Sequence, residues 1–213
     1  MPASAAAIPL ALLISFGAAD AQSSVEEWWP EIDAYRTDAS GTFRLFAMAA
    51  SARSADAAER QYKIGMHLDY LRLPWGVVRT GYRYMGSSSD EKSREQRVLF
   101  EATLPKTRGR LRFRNRTRLE LRWISGEPSQ RLRERVRLEG ETTARGRHLT
   151  PYAMDEVSYD SRYHSISRNR FFVGAELSVG AHSTFDLAYC REEDRFSTIR
   201  KVNALVPKLA IRY

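Results

Sequence analysis

The chain has 213 residues and a formal net charge of +8, from 34 Lys and Arg against 26 Asp and Glu. That length supports one domain with a sizeable core and is short for two. Its single cysteine, Cys190, excludes an intramolecular disulfide and any cysteine-based metal cluster. A cationic balance suits nucleic acid, an anionic membrane surface or an acidic ligand, and the placement of the charges decides among them.

The first elements in chain order are an address. Ile8 to Phe16 is an apolar run too short to cross a bilayer as a helix. Ala19-Asp20-Ala21 follows in the small-x-small pattern that signal peptidase reads, although no Lys or Arg precedes the run. Residues 1–21 are therefore expected to be a cleaved signal peptide, with Gln22 as the new N-terminus. No cysteine follows the run, so lipoprotein processing is not expected, and no later segment reaches the ~20 apolar residues of a membrane helix.

The mature chain alternates with period two. Val25 to Arg36, within an N-terminal segment 22–40, is strand-like. From residue 41 to 213 the pattern repeats. Thr42 to Ala50 sets Phe43, Leu45, Ala47 and Ala49 against Arg44, Phe46 and Met48. Gln61 to Leu71 sets Tyr62, Ile64, Met66, Leu68 and Tyr70 against Lys63, Gly65, His67 and Asp69. Val77 to Tyr84 and Glu95 to Leu104 continue it. In Arg110 to Trp123, Leu111, Phe113, Leu119, Leu121 and Trp123 oppose Arg112, Arg114, Arg116, Arg118, Glu120 and Arg122. In Arg131 to Thr142, Leu132, Val136 and Leu138 oppose Arg131, Arg133, Arg135, Arg137 and Glu139, with Glu134 interrupting the apolar face. A helix would spread these arginines around its circumference; a strand sets them in one row. Strands over His148–Tyr159, Ser167–Val179, Thr184–Arg191 and Val202–Tyr213 complete the set.

One wet and one dry face fit either a soluble sandwich or a membrane barrel turned inside out. Strands of about 10 residues or more match a tilted membrane span. Tyr and Trp near strand ends match an interfacial girdle, and a charged row on nearly every strand has little use in a soluble core. The fold expected is an all-β, closed, antiparallel transmembrane barrel of about ten to twelve strands. Short connections at Arg72–Gly76, Lys106–Gly109, Ala144–Gly146 and Gly180–Ser183 belong at the periplasmic end. Longer ones at Ser51–Arg60, Gly86–Ser93, Ser125–Gln130, Asp160–Ser165 and Glu192–Lys201 belong outside. Ten strands follow from Thr42 onward. The N-terminal strand would make eleven, and single-chain bacterial barrels are even-numbered, so that segment is expected in the lumen or periplasm, or a twelfth strand accompanies it.

The landmarks Trp29-Pro30-Glu31, Gly81-Tyr82-Arg83-Tyr84 and Arg116-x-Arg118-x-Glu120-x-Arg122-Trp123 now stand in order. So do Pro151-Tyr152 through Glu156, Tyr159-Asp160-Ser161-Arg162-Tyr163 and Arg168-Asn169-Arg170. Together they resemble a family of small Gram-negative outer-membrane barrels catalogued as a domain of unknown function. The resemblance implies a fold and a location in the outer membrane, and no activity. Tyr213, aromatic and last on an alternating strand, looks like the signal that the barrel-assembly machinery recognises.

Arg112, Arg114, Arg116, Arg118, Arg133, Arg135 and Arg137 are expected to face the lumen, because an arginine facing lipid at mid-bilayer costs about 2–4 kcal/mol. Glu120, Glu139 and Glu156 are expected among them. Two uses remain open. The arginines can make an electropositive, narrow, anion-preferring channel, or pair with Glu95, Glu101, Glu120, Glu139, Glu156 and Glu176 and fill the bore as a structural or interaction barrel. Enclosed arginines leave no surface for nucleic acid; outer-membrane lipid and lipopolysaccharide are the expected surroundings. Catalysis, cofactors and metal are not expected, and His67, His148, His164 and His182 read as solvated loop residues. The alternative is a membrane-embedded lipid hydrolase at the extracellular rim, with His164 or His148 near a serine and an acid. In the tract Tyr159–Tyr163, Asp160 is expected to cap a turn; the other use is recognition of lipopolysaccharide phosphate by Arg162 and the tyrosines.

Overall fold

Each alternating segment forms a strand. A computed structural model describes residues 24–54, 60–88 and 94–213; the expected signal peptide and the centres of two loops lie outside them. The strands are β1 (Val25–Trp28), β2 (Glu31–Thr37), β3 (Phe43–Ser54), β4 (Arg60–Leu73), β5 (Gly76–Ser87), β6 (Glu95–Arg108) and β7 (Leu111–Ile124). They continue as β8 (Glu127–Gly140), β9 (Thr142–Ala144), β10 (Arg147–Asp160), β11 (Ser165–Ser178), β12 (Ser183–Asp194) and β13 (Lys201–Arg212). From β3 to β13 neighbours in sequence pair antiparallel, with the short β9 set only against the start of β10.

β1 and β2 are two halves of one path, broken at Trp29-Pro30, where proline cannot donate to a ladder. The path lies antiparallel to β3, with Ala34 opposite Ala47, and parallel to β13, with Ala34 opposite Ile211. It closes a barrel of eleven strands. The even-number expectation does not hold. In an up-and-down meander an odd count leaves the first and last strands pointing the same way, so closure needs one parallel seam. The N-terminal segment lies neither in the lumen nor beside a twelfth strand. Left out, it would expose the edges of β3 and β13, whose backbone groups have no water to meet in lipid.

The barrel is apolar outside and charged within. Ile64 and Met66 are more than half exposed, whereas Asp69, Glu120 and Asp160 are fully buried. The outward Leu111, Leu119, Leu132 and Leu138 are exposed, and the arginines between them turn inward.

The turns alternate between two ends as expected, with one difference. β7 and β8 meet at the two-residue turn Ser125–Gly126, with φ of 52° and 93°, and not through a loop reaching Gln130. Two positive φ values in succession match strand twist, and Glu127 to Gln130 already pair with β7. At the other end, Asp38 accepts N–H bonds from Thr42 and Phe43 at 2.8 Å each. The Ser40 hydroxyl first, and the Phe43 N–H next, hold its carboxyl below the usual carboxylate range.

The parallel seam is directly testable. Cysteines at Ala34→Cys and Ile211→Cys should oxidise to a disulfide, since facing Cα atoms on neighbouring strands fall within bridging distance. The native Cys190 is fully buried and does not compete. A faster-migrating band on a non-reducing gel is expected; free thiols at both positions would place the N-terminal strand elsewhere.

Candidate functional site: the charged lumen

The arginine rows of β7 and β8 point into the bore and meet carboxylates from β6, β7, β8, β10 and β11. Glu156 of β10 is the centre of one set. It accepts from Arg116 Nη2 at 2.9 Å, from Arg135 Nε at 2.8 Å and from Arg133. Glu120 takes the other arm of Arg133 at 2.8 Å, with Arg97 at 3.4 Å and Arg118 at 3.5 Å. Glu101 of β6 receives Arg118 Nε at 2.7 Å and has Arg116 at 3.6 Å. Glu139 holds Arg112 and Arg114, which are the more open pair, and Arg137 donates to Glu176 at 2.7 Å. The chemistry favours arginine. One guanidinium carries five donors in a fixed fork and can serve two carboxylates at once, as Arg133 does.

Two further knots lie nearer the ends. Toward the loop end, Asp160 binds Arg122 at 2.7 Å, Arg131 at 3.0 Å and Arg162 at 2.9 Å. Arg162 also donates its backbone N–H to Asp160 at 3.1 Å, so the tract Tyr159–Tyr163 is a fastened corner in which Asp160 caps the turn. Tyr163 stacks on Phe196 of the neighbouring loop, with centroids 3.9 Å apart. Toward the opposite end, Asp69 clamps Arg44 at 2.6 Å and Arg79 at 2.5 Å.

Between these knots lies a cavity of about 390 Å³. One wall is cationic and includes Arg83, Arg97, Arg116, Arg118, Arg133, Arg135 and Arg170. The facing wall carries an apolar patch of Met48 of β3, Met154 of β10, Phe172 of β11, Ala188 of β12 and Val202 and Val206 of β13, with Trp29, flanked by Asp186 and Glu192 of β12 and Lys208 of β13. Ser197 and Ile199 of the β12–β13 loop also line it, so its mouth is at the loop end.

His67 corrects the reading of all four histidines as loop residues. It lies mid-strand in β4, 2% exposed, and its Nε2 accepts the Arg83 Nε–H at 3.0 Å. Its ring meets Phe46 edge-on at 4.7 Å. Space for it comes from Gly81 across the strand pair: a Cβ there would lie 2.4 Å from His67 Cδ2 and 2.6 Å from the Met66 carbonyl oxygen. The signal was in the sequence, since Gly65, His67 and Asp69 share the inward parity of β4, and Gly81 and Arg83 that of β5.

The rim triad does not assemble. His164 sits exposed in the β10–β11 turn with φ of 48°, and the Asp160 carboxylate is committed to arginines. His148 has a 3.4 Å contact with the Thr150 hydroxyl. Among the described residues no group of histidine, cysteine and acid side chains is arranged to hold a metal ion.

A closed barrel with an apolar belt and a charged bore defines the class: an outer-membrane-type β-barrel protein. Residues 34–203 match the family described as "Protein of unknown function (DUF2490)", and the chain belongs to that family. A comparison with curated proteins finds no match. Among solved structures the chain is similar to LpxR from Salmonella typhimurium, with a TM-score of 0.53 and 10% identity over 80% of this chain and 83% of that one. At that identity the likeness concerns the fold. It also corrects one expectation. The sequence set enzymatic activity aside, yet LpxR is an outer-membrane enzyme, so this fold is no argument against catalysis.

Three substitutions test the packing. Glu156→Gln leaves Arg116, Arg133 and Arg135 without their shared anion and should lower unfolding stability by about 3–5 kcal/mol. Arg116→Leu leaves Glu156 with Arg133, Arg135 and Arg170 and should cost less, about 1–2 kcal/mol. Urea unfolding in lipid vesicles ranks them, and an equal loss would dissolve the idea of Glu156 as a hub. Gly81→Val, which drives a side chain into His67 and backbone, should cost about 1–3 kcal/mol, read as a lower temperature for the heat-modified gel shift.

Proposed function

We propose that this chain is exported to the outer membrane of a Gram-negative bacterium and that its lumen captures small anions entering from the loop end. The apolar belt then faces outer-membrane lipid and lipopolysaccharide. The outward, alternating end of β13 at Tyr213 suits recognition by the barrel-assembly machinery.

One observation carries the reading. The cavity collects more guanidinium groups than carboxylates, and Arg83 has no carboxylate within ion-pair distance among the described residues. Enclosed positive charge of that kind favours negatively charged solutes. The floor supports capture over free passage: Arg44, Asp69 and Arg79, clamped together, do not line the cavity.

Equilibrium dialysis of the reconstituted protein against radiolabelled phosphate should show retention, while planar bilayers stay electrically quiet. Asp69→Asn, which frees Arg44 and Arg79, should open a small anion-preferring current. Failure to retain phosphate, or a reversal potential on the cation side, overturns the reading.

A further inference from the structure

The apolar wall is out of place in a barrel lumen, which is ordinarily polar throughout. Met154, Phe172, Cys190, Val202 and Ala204 are inward and buried, and form one cluster with Trp29 and Val206 packed on it. Water beside such a wall is unfavourable. The opposite wall offers positive charge. The seam between the two walls is stitched by guanidinium groups on aromatic faces: Arg170 on Trp29 at 5.3 Å, Arg135 on Phe172 at 5.9 Å and Arg137 on Tyr152 at 3.7 Å.

Arg83 is the unspent charge at this boundary. It is 7% exposed, lines the cavity, and spends its Nε–H on His67. Its neighbour Arg97, directly opposite on β6, is held by Glu95 and Glu120. Lys63, on the next strand, also lines the cavity and reaches Glu31 at 3.6 Å. A volume of about 390 Å³ lies within the range of small-molecule sites, in which apolar surface buries the ligand and a few polar groups orient it.

We propose that this cavity binds an anionic amphiphile, its charged head against Arg83 and Lys63 and its hydrocarbon chain along Met48, Met154, Phe172 and Val202. The inference rests on the anion-capturing lumen and adds the chain. Head chemistry is shared by phosphate and carboxylate, and the chain separates a lipid-derived ligand from a free inorganic anion.

Octyl phosphate, inorganic phosphate and octanol, titrated calorimetrically into the full mature chain in amphipol, test it. Octyl phosphate should bind tighter than inorganic phosphate, by up to about fourfold for each methylene that reaches the apolar wall. Arg83→Gln should weaken octyl phosphate about 10- to 100-fold. Arg83→Lys, which keeps the charge, should retain most of the binding. Met154→Gln should remove the advantage of the chain and leave inorganic phosphate unchanged. Heat-modified migration checks that each variant forms its barrel. Equal affinity for the two phosphates overturns the amphiphile and leaves the anion site standing; no binding of either overturns both. Octanol binding as well as octyl phosphate, or octyl phosphate indifferent to both Arg83→Gln and Met154→Gln, also defeats the proposal.

Discussion

Lipid offers no hydrogen bonds, and that one constraint arranges the rest of this molecule. Every backbone N–H and C=O must find a partner in the wall, so the wall closes. Once it is closed, pleating sends alternate side chains to lipid or to the bore, and a charged side chain has only the bore. The arginine rows of β7 and β8 therefore stand face to face with each other, Arg116 opposite Arg135 and Arg118 opposite Arg133. Cations at that spacing demand carboxylates, and the strands on either side supply them: Glu101 from β6 and Glu156 from β10.

The network that results is economical in anions. Glu156 and Glu120 each serve several guanidinium groups, and both are wholly enclosed. Removing water from such charges is costly, and the cost is offset only where donors converge in good geometry. Arginine meets that demand better than lysine, whose compact ammonium is more strongly hydrated. It explains why the inward cations of β6, β7 and β8 are all arginines, with lysine kept to the cavity margin at Lys63 and Lys208.

Fold and facing were legible because alternation with period two is unambiguous when one parity is arginine and the other leucine. Strand ends were less so. Glu127 to Gln130 carries no apolar alternation, and a Ser-Gly turn with two positive φ values is not announced by its residues. The strand count fell within the expected ten to twelve, and the error was one of placement: Val25 to Arg36 read correctly as a strand, and an evenness rule displaced it from the wall. The charged half of the site was visible as rows, since parity alone places Arg118 and Arg133 inside. The cavity was not. Its apolar wall is assembled from β10 to β13 and, far away in sequence, β3, each giving one to three residues that look like ordinary interruptions of a polar row. Parity put His67 inside, but nothing local shows that Gly81 leaves a hollow for its imidazole.

The parallel seam also dictates the order in which the molecule can be finished. Every other strand pair of the wall joins neighbours in sequence, so each can zip from its own connection with far less chain entropy to overcome. The seam has no turn. It joins Glu26 to Asn203 across nearly the whole chain, and loop closure over such a length is the slow, non-local event that limits folding rates. Until it forms, the barrel is an open sheet with two raw edges, those of β3 and β13. The N-terminal strand thus works as a latch: built first, and set in place last.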